Sequence, residues 1–183
     1  MRFAATLLVT LVLAGCGATM PHYVPTPDIP DGARAGIKDS VALGDFTVKS
    51  GNPNAQFVQL RAVKLEPTVG DYAAYLKLGV RTELERARKY KQDAPLVLHG
   101  ELVKNEVDAS GIRVGTANLA ANFRMTRGGQ PVFEKPYTVK SEWESSFVGA
   151  TAIPAAIEQY AAAFRKLIAN LFTDPEFQAA TGN

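Results

Sequence analysis

Hydrophobic and polar residues alternate along residues 40–48, and this pattern predicts a β-strand. A turn at Gly51-Asn52-Pro53 follows the strand. Residues 57–65 predict a second extended stretch, which ends at Glu66-Pro67 because the residue before a proline disfavours helical angles. The chain therefore begins its patterned part with two strands.

Apolar residues at steps of three and four then predict two helices. Asp71 is placed to cap a first helix that runs to about Tyr90. The second helix is predicted to begin near Ile153-Pro154, since proline is tolerated in a first turn, and to run to about Phe172.

Three alternating stretches separate the two helices, at residues 95–107, 112–126 and 131–146. Short polar turns of hairpin length join these stretches, which is typical of an antiparallel meander. The order of elements predicts an α+β fold, in which two helices pack on one face of a largely antiparallel sheet of about five strands.

The first residues follow another pattern. After Met1-Arg2, an apolar run from residue 3 to residue 13 is too short to span a bilayer, and it predicts a removable signal peptide over residues 1–15. Leu13-Ala14-Gly15-Cys16 follows and resembles the lipobox of bacterial lipoproteins. The alternative is an ordinary signal peptide with an incidental cysteine.

The lipobox resemblance implies that Cys16 becomes the first residue and carries a covalent diacylglycerol and an N-acyl chain such as palmitate. No other cofactor is expected. Gly17 and Ala18 stand where an aspartate would favour the inner membrane in the lipoproteins that this motif resembles, so the resemblance implies a periplasm-facing position on the outer membrane.

Residues 16–39 are rich in proline and poor in core-forming residues, which predicts an extended tether after the lipidated Cys16. At about 3.1 Å per residue, such a tether would reach up to about 70 Å from the lipid. Residues 40–183 are then expected to form a single α+β domain.

The composition excludes some functions. Lys and Arg number 20 against 18 Asp and Glu, for a net charge of +2, so the chain lacks the basic excess that nucleic-acid binding requires. Its single cysteine excludes intrachain disulfides and, once lipidated, removes the only thiolate from metal binding. No metal site is expected.

The order of elements behind a lipobox resembles the YajG-type outer-membrane lipoproteins and, more loosely, the auxiliary lipoproteins of envelope transport systems. The resemblance rests on the segment from Val63 through the first helix, on the long hairpins, and on residues 157–177, which close with Thr173-Asp174-Pro175-Glu176-Phe177. It implies an envelope lipoprotein with no assigned catalytic residues.

Candidate chemistry is sparse. His99 is the only histidine beyond the predicted tether, and it lies in a strand without a nucleophile motif near it. Glu142-Trp143-Glu144 could hold a sugar between paired carboxylates and an aromatic ring. Strand alternation instead places both glutamates on one face, in solvent, and Trp143 on the other.

Two surfaces remain open to interpretation. Lys77, Arg81 and Arg88 form a basic stripe on the first helix that could contact anionic lipid, although Glu85 is spaced to pair within it. The second helix has a wide apolar face, which indicates either burial beneath the first helix or a groove for a lipid or partner protein. The residues of this face are Tyr160, Phe164, Leu167, Ile168 and Phe172.

The sequence therefore predicts a membrane-anchored, non-catalytic partner-binding or accessory module of the cell envelope. The alternative is a transport accessory that binds lipid or another apolar ligand. An enzyme is not expected, because reactive side chains are few and isolated. The sequence leaves the partner and the oligomeric state open.

Overall fold

The computed structural model describes residues 17–182, and this part of the chain forms two β-sheets with helices packed against them. The predicted α+β class is confirmed. The predicted signal peptide and Cys16 lie outside the described residues. The elements are, in chain order, β1 (Gly17–Thr19), α1 (Asp31–Gly36), β2 (Val41–Val48), β3 (Val58–Leu60), β4 (Val63–Glu66), α2 (Tyr72–Arg86), β5 (Leu96–Asp108), β6 (Val114–Arg127), β7 (Gln130–Glu144), α3 (Gly149–Phe172) and α4 (Pro175–Ala180).

The larger sheet contains the predicted meander. Its strand order is β2-β5-β6-β7, with antiparallel pairing among the last three strands and parallel pairing between β2 and β5. Gly128 and Gly129 form the turn between β6 and β7 with φ of 56° and 84°. Positive φ at both central residues matches the right-handed twist of a two-residue hairpin, and glycine adopts it at no steric cost.

The smaller sheet departs from the prediction of one strand over residues 57–65. That stretch folds into the hairpin β3–β4, and β1 adds to β4 in parallel, so the order is β1-β4-β3. The turn is Arg61-Ala62, and Arg61 has φ of 55°. The hairpin is absent from the prediction because an arginine stands at a turn position that glycine or asparagine usually fills.

Helix α2 begins as predicted, because the side chain of Asp71 accepts a hydrogen bond of 2.8 Å from the backbone N–H of Ala74. It ends at Arg86, one turn before the predicted end at Tyr90. Arg88 has φ of 57°, and the N–H of Lys89 donates to the carbonyl of Leu84 over 2.8 Å. These are the features of a Schellman motif, which usually has glycine at the left-handed position.

Helix α3 begins at Gly149, about one turn before the predicted start at Ile153-Pro154. Pro154 removes one N–H from the helix, and the carbonyl left without it belongs to Ala150, which is exposed and can bond water instead. Helix α2 contacts β2 and β5, whereas α3 contacts β6 and β7. The two long helices thus cover one face of the larger sheet, as predicted.

The predicted tether is packed against the domain over the residues that the structure describes, which is a correction to its extended reach. Met20, Tyr23, Thr26 and Ile29 are all buried, so every third side chain points inward. A polyproline helix has three residues per turn, and this period places one row of side chains against the protein. We call residues 20–37 the N-terminal belt.

Candidate functional site

Gly17, the first described residue, has a defined place in the smaller sheet. Cys16 lies outside the described residues. Strand β1 pairs in parallel with β4, and Gly17 lies opposite Lys64. Because the two strands are parallel, β1 begins beside the start of β4, the end that follows the turn containing Arg61.

A buried ion pair fastens the N-terminal belt to α2. Nη2 of Arg34 lies 3.0 Å from Oε2 of Glu83, whose side chain is 0% exposed. The hydroxyl of Tyr23 and the backbone N–H of Thr26 both donate to Oε1 of Glu83, over 3.1 Å and 2.7 Å. Burial raises the pKa of the Tyr23 hydroxyl, and the charge of Glu83 raises it further, so this hydroxyl stays a donor.

A second tyrosine holds the start of the belt. The hydroxyl of Tyr75, on α2, donates to the carbonyl of Pro21 over 3.0 Å. Burial raises the pKa of Tyr75 to about 12. Together with the ion pair, this bond connects two points of the belt to the same helix.

The five apolar residues proposed as a ligand or partner surface on the second helix do not form a surface. All five are 0% exposed, and their aromatic members pack with Tyr72 and Tyr75 of α2. Burial beneath the first helix is therefore the correct interpretation of this wide apolar face. The residues concerned are Tyr160, Phe164, Leu167, Ile168 and Phe172.

A hydrogen bond between two buried side chains lies within this core. The hydroxyl of Tyr160 donates to Oδ1 of Asn105, and Nδ2 of Asn105 donates to the carbonyl of Asn54 over 2.7 Å. Burial raises the pKa of Tyr160 well above its ordinary value. The tyrosine and the asparagine connect α3, β5 and the loop after β2.

The predicted basic stripe is divided in the structure. Arg81 pairs with Glu85 over 2.8 Å and lies over the ring of Tyr90. Lys77 lies over the ring of Phe46 at 5.9 Å. Arg88 follows the end of α2 in a left-handed conformation, so it does not continue the helical row. Two of the three cations thus already have partners within the protein.

His99 lies on the open face of the larger sheet. Its Nδ1 accepts a hydrogen bond of 3.2 Å from the backbone N–H of Asp45. The ring fills the space that a Cβ on Gly44 would need, since such a carbon would lie 2.3 Å from it. His99 also borders a shallow concavity of about 260 Å³ with Arg124 and Glu134.

Glu142-Trp143-Glu144 alternates across β7 as predicted. Both glutamates are exposed, whereas Trp143 is half-buried and its ring lies over Gly115 on β6. The indole and the carboxylates therefore face opposite sides of the sheet, which does not provide the arrangement needed for a sugar site. Within residues 17–182, no group of three or more His, Cys, Asp or Glu side chains is placed to hold a metal ion.

Sequence reasoning missed one surface, at the end of the molecule where β1 begins. Four exposed apolar residues lie there, one in the β5–β6 connection, one at the start of β6 and two in the β7–α3 loop, and we call them the anchor-end patch. A signal was present, because apolar residues in loops between polar ones are candidates for interaction sites. Its members are Ile112, Val114, Phe147 and Val148.

Arg61 fixes the two loops of this patch. Its Nε donates to the carbonyl of Ala109 over 2.7 Å, and Nη2 donates to the carbonyl of Ser146 over 2.6 Å. Two further bonds reach the carbonyls of Gly111 and Phe147, at 3.3 Å and 2.9 Å. One guanidinium thus joins the turn beside β1 to both loops.

Solved structures share this fold. Protein XCC0632 from Xanthomonas campestris, of the family DUF330, superposes with a TM-score of 0.56 and 16% identity over 85% of this chain and 94% of its own. A proposed lipoprotein from Caulobacter crescentus CB15 superposes with a TM-score of 0.50 and 12% identity over 83% of this chain and 98% of its own. No family model and no curated protein matches the chain.

At these identities the comparisons show the fold alone. They place the chain in the same architecture as a protein described as a lipoprotein. Membership of the YajG-type lipoproteins stays a prediction. None of the helices between residues 17 and 182 is long and apolar enough to cross a membrane.

Proposed function

We propose that this chain is a lipid-anchored, non-catalytic module of the bacterial cell envelope that binds a protein partner on the open face of its larger sheet. The lipobox at Leu13-Ala14-Gly15-Cys16 supports the anchor, as does the fold shared with a proposed lipoprotein. Gly17 and Ala18 after the cysteine favour the periplasmic side of the outer membrane.

The observation that carries the partner-binding role is the polar, uncovered face of β5, β6 and β7. The helices cover the other face, and the side chains that alternate outward remain accessible. Cross-strand neighbours on the open face include the row His99, Arg124 and Glu134. A second row, Glu106, Asn118 and Lys140, borders a concavity of about 510 Å³.

The charges on this face are available for a partner. Within the part of the chain that the structure describes, Arg124, Glu134 and Lys140 form no ion pair. Complementary charges across an interface set its specificity and speed its association. The two rows present cations and anions at a fixed strand spacing, which favours a protein partner over a single small ion.

A catalytic role has less support. His99 is held by a backbone N–H of Asp45, and within residues 17–182 its ring has no hydrogen bond to a hydroxyl or a carboxylate. A hydroxyl nucleophile that His99 activates would lie within hydrogen-bond reach of its ring. The lipid-carrier alternative depended on the apolar face of α3, which is buried in the core.

Site-specific photo-crosslinking in intact envelopes tests the proposal. A photoreactive residue at Asn122, which is exposed between the two rows, is expected to give one discrete crosslinked protein. The same residue at Lys166, exposed on α3, is the matched control and should not give that product. Arg124→Glu should weaken the crosslink at Asn122, because it reverses one charge of the face.

The proposal fails if Asn122 and Lys166 give the same set of products, or if Arg124→Glu leaves the Asn122 product unchanged. Mass spectrometry of the N-terminal peptide tests the anchor separately. The expected mass includes a diacylglycerol and an acyl chain on Cys16.

A further inference from the structure

We propose that the anchor-end patch enters the lipid leaflet that holds the acyl chains of Cys16, and so fixes the orientation of the domain on the membrane. This inference rests on the proposed lipidation of Cys16. Its occupant is a bilayer surface, recognised by apolar contact.

The exposure of the patch is high for its residue types. Phe147 is 80% exposed and Ile112 is 59% exposed, while Val148 and Val114 are 56% and 50% exposed. Apolar residues of this size that cluster in solvent usually mark a surface that is covered in the working protein. Phenylalanine is also typical of segments that lie at the boundary between headgroups and acyl chains.

The position of β1 indicates that the surface covering the patch is the lipid leaflet. Gly17 lies opposite Lys64, so the first described residue lies beside the start of β4, which follows the Arg61 turn. At about 3.3 Å per residue, the backbone from Lys64 to Arg61 covers about 10 Å. The side chain of Arg61 then bonds directly to the loop carbonyls of Ser146 and Phe147.

Because the N-terminal belt is packed against the domain, it provides no free length of chain that would let the domain move away from the membrane. Only the bond from Cys16 to Gly17 separates a lipidated residue from β1. The end of the domain that carries the patch must therefore lie at the headgroups when the acyl chains are inserted. A tether of free chain would have allowed any face of the domain to meet the bilayer.

Charges beside the patch are mixed, which favours insertion over electrostatic adsorption. Lys64 and Arg113 are exposed there, and so are Asp108 and Glu144. Basic clusters without acidic neighbours mark binding to anionic lipid. We therefore expect membrane contact of the patch to be the same in low and high salt.

The test uses the full lipidated chain in vesicles of phosphatidylethanolamine and phosphatidylglycerol. Val148→Cys supplies the only free thiol, since Cys16 is acylated, and carries a polarity-sensitive fluorophore. Val24→Cys is the matched control, because Val24 has the same exposed fraction of 56% but lies in the belt beside residues bonded to Glu83. Lipids with a nitroxide near the headgroup quench a fluorophore that lies within the interface.

Quenching at Val148→Cys is expected to exceed that at Val24→Cys by about threefold or more, as for a side chain buried several ångströms into the interface. Phe147→Ser with Ile112→Ser, in the Val148→Cys background, should reduce the quenching toward the control. These residues are exposed, so the unfolding midpoint should not change.

Equal quenching at the two positions, with the lipid mass present on Cys16, would overturn the inference and leave the proposed function intact. An unmodified Cys16 would overturn both. If quenching at Val148→Cys is strong but unaffected by the Phe147 and Ile112 substitutions, the apolar patch does not cause the orientation and the inference is wrong.

Discussion

The guanidinium of Arg34 lies 3.0 Å from the carboxylate of Glu83, and the two side chains are 8% and 0% exposed. They join a proline-rich segment to a helix 49 residues away in sequence. Because water is excluded from Glu83, this carboxylate depends on Arg34 for compensation of its charge, whereas Arg34 also lies 3.4 Å from the exposed Asp31. The pair thus makes the N-terminal belt part of the domain.

Arg34→Met should lower the free energy of unfolding by about 3–5 kcal/mol, because it leaves Glu83 buried without a cation. Arg34→Met with Glu83→Gln should recover the part of this loss that comes from the unpaired charge, since the amide oxygen can still accept from Tyr23 and Thr26. The bonds from Arg34 to the carbonyls of Thr26 and Ile29 stay lost. Arg81→Met is the control: it breaks an exposed pair with Glu85 and should leave the free energy of unfolding nearly unchanged. Equal losses for Arg34→Met and Arg81→Met in chemical denaturation would contradict this account.

Tyr160→Phe should destabilise the protein by about 1–3 kcal/mol, because Oδ1 of the buried Asn105 loses its donor. The ring itself is retained, so the core packing is unchanged. Thermal and chemical denaturation would measure the loss. A variant as stable as the parent would mean that the hydroxyl does not satisfy Asn105.

Gly115→Ala should disturb the single tryptophan, because a Cβ at this position would lie 2.4 Å from the ring of Trp143. We expect a loss of about 1–3 kcal/mol and a shift of tryptophan emission. Gly32→Ala in α1 is the control, since no atom lies within 4 Å of the added carbon. That change should be neutral or slightly stabilising. Unchanged emission in Gly115→Ala would argue against the contact.

The carboxylate of Asp174 is expected to make the free energy of unfolding sensitive to acid. Burial raises its pKa, but hydrogen bonds from Lys135 and Tyr137 outweigh burial, so the pKa is lowered overall. A lowered pKa in the folded state gives stability that is present above the ordinary Asp value, about pH 4. It is lost as the pH falls through the folded pKa.

Asp174→Asn should therefore reduce the fall in the free energy of unfolding below about pH 4. Asparagine can still cap α4 by accepting from the N–H of Glu176. Its amide nitrogen cannot accept from Tyr137 as Oδ2 does, so the test compares the pH slopes and not the absolute stabilities. Denaturation curves across this pH range would measure the slope. The same slope in both proteins would show that Asp174 does not contribute.

The strands of the meander and the start of α2 were predictable because their signals are local. Alternation predicted β5, β6 and β7, and Asp71 caps α2 as its position in the sequence indicated. The α2 end and the β3–β4 hairpin were missed for one common reason. Arg88 and Arg61 occupy left-handed positions where the sequence offers no glycine.

The N-terminal belt was missed because its period is three, whereas helices and strands repeat at 3.6 and 2. A search for side chains that repeat at intervals of three, such as Met20, Tyr23 and Thr26, would have indicated the belt. The lipobox is recognisable in the sequence because it is short and local, and lipidation of Cys16 stays a prediction. The anchor-end patch could not, because Arg61 and Phe147 are 86 residues apart and meet only in the fold.

Hydrogen exchange on the lipidated protein in vesicles, followed in the peptide that covers residues 16–39, tests the account most directly. The mass of this peptide reports the lipid on Cys16, and its exchange rate reports whether the belt is packed. We predict a lipidated peptide with slow exchange, above all at the amide of Thr26, which donates to the buried Glu83. A lipidated peptide that exchanges as fast as unfolded chain would contradict the account, because residues 16–39 would then not be packed against the domain.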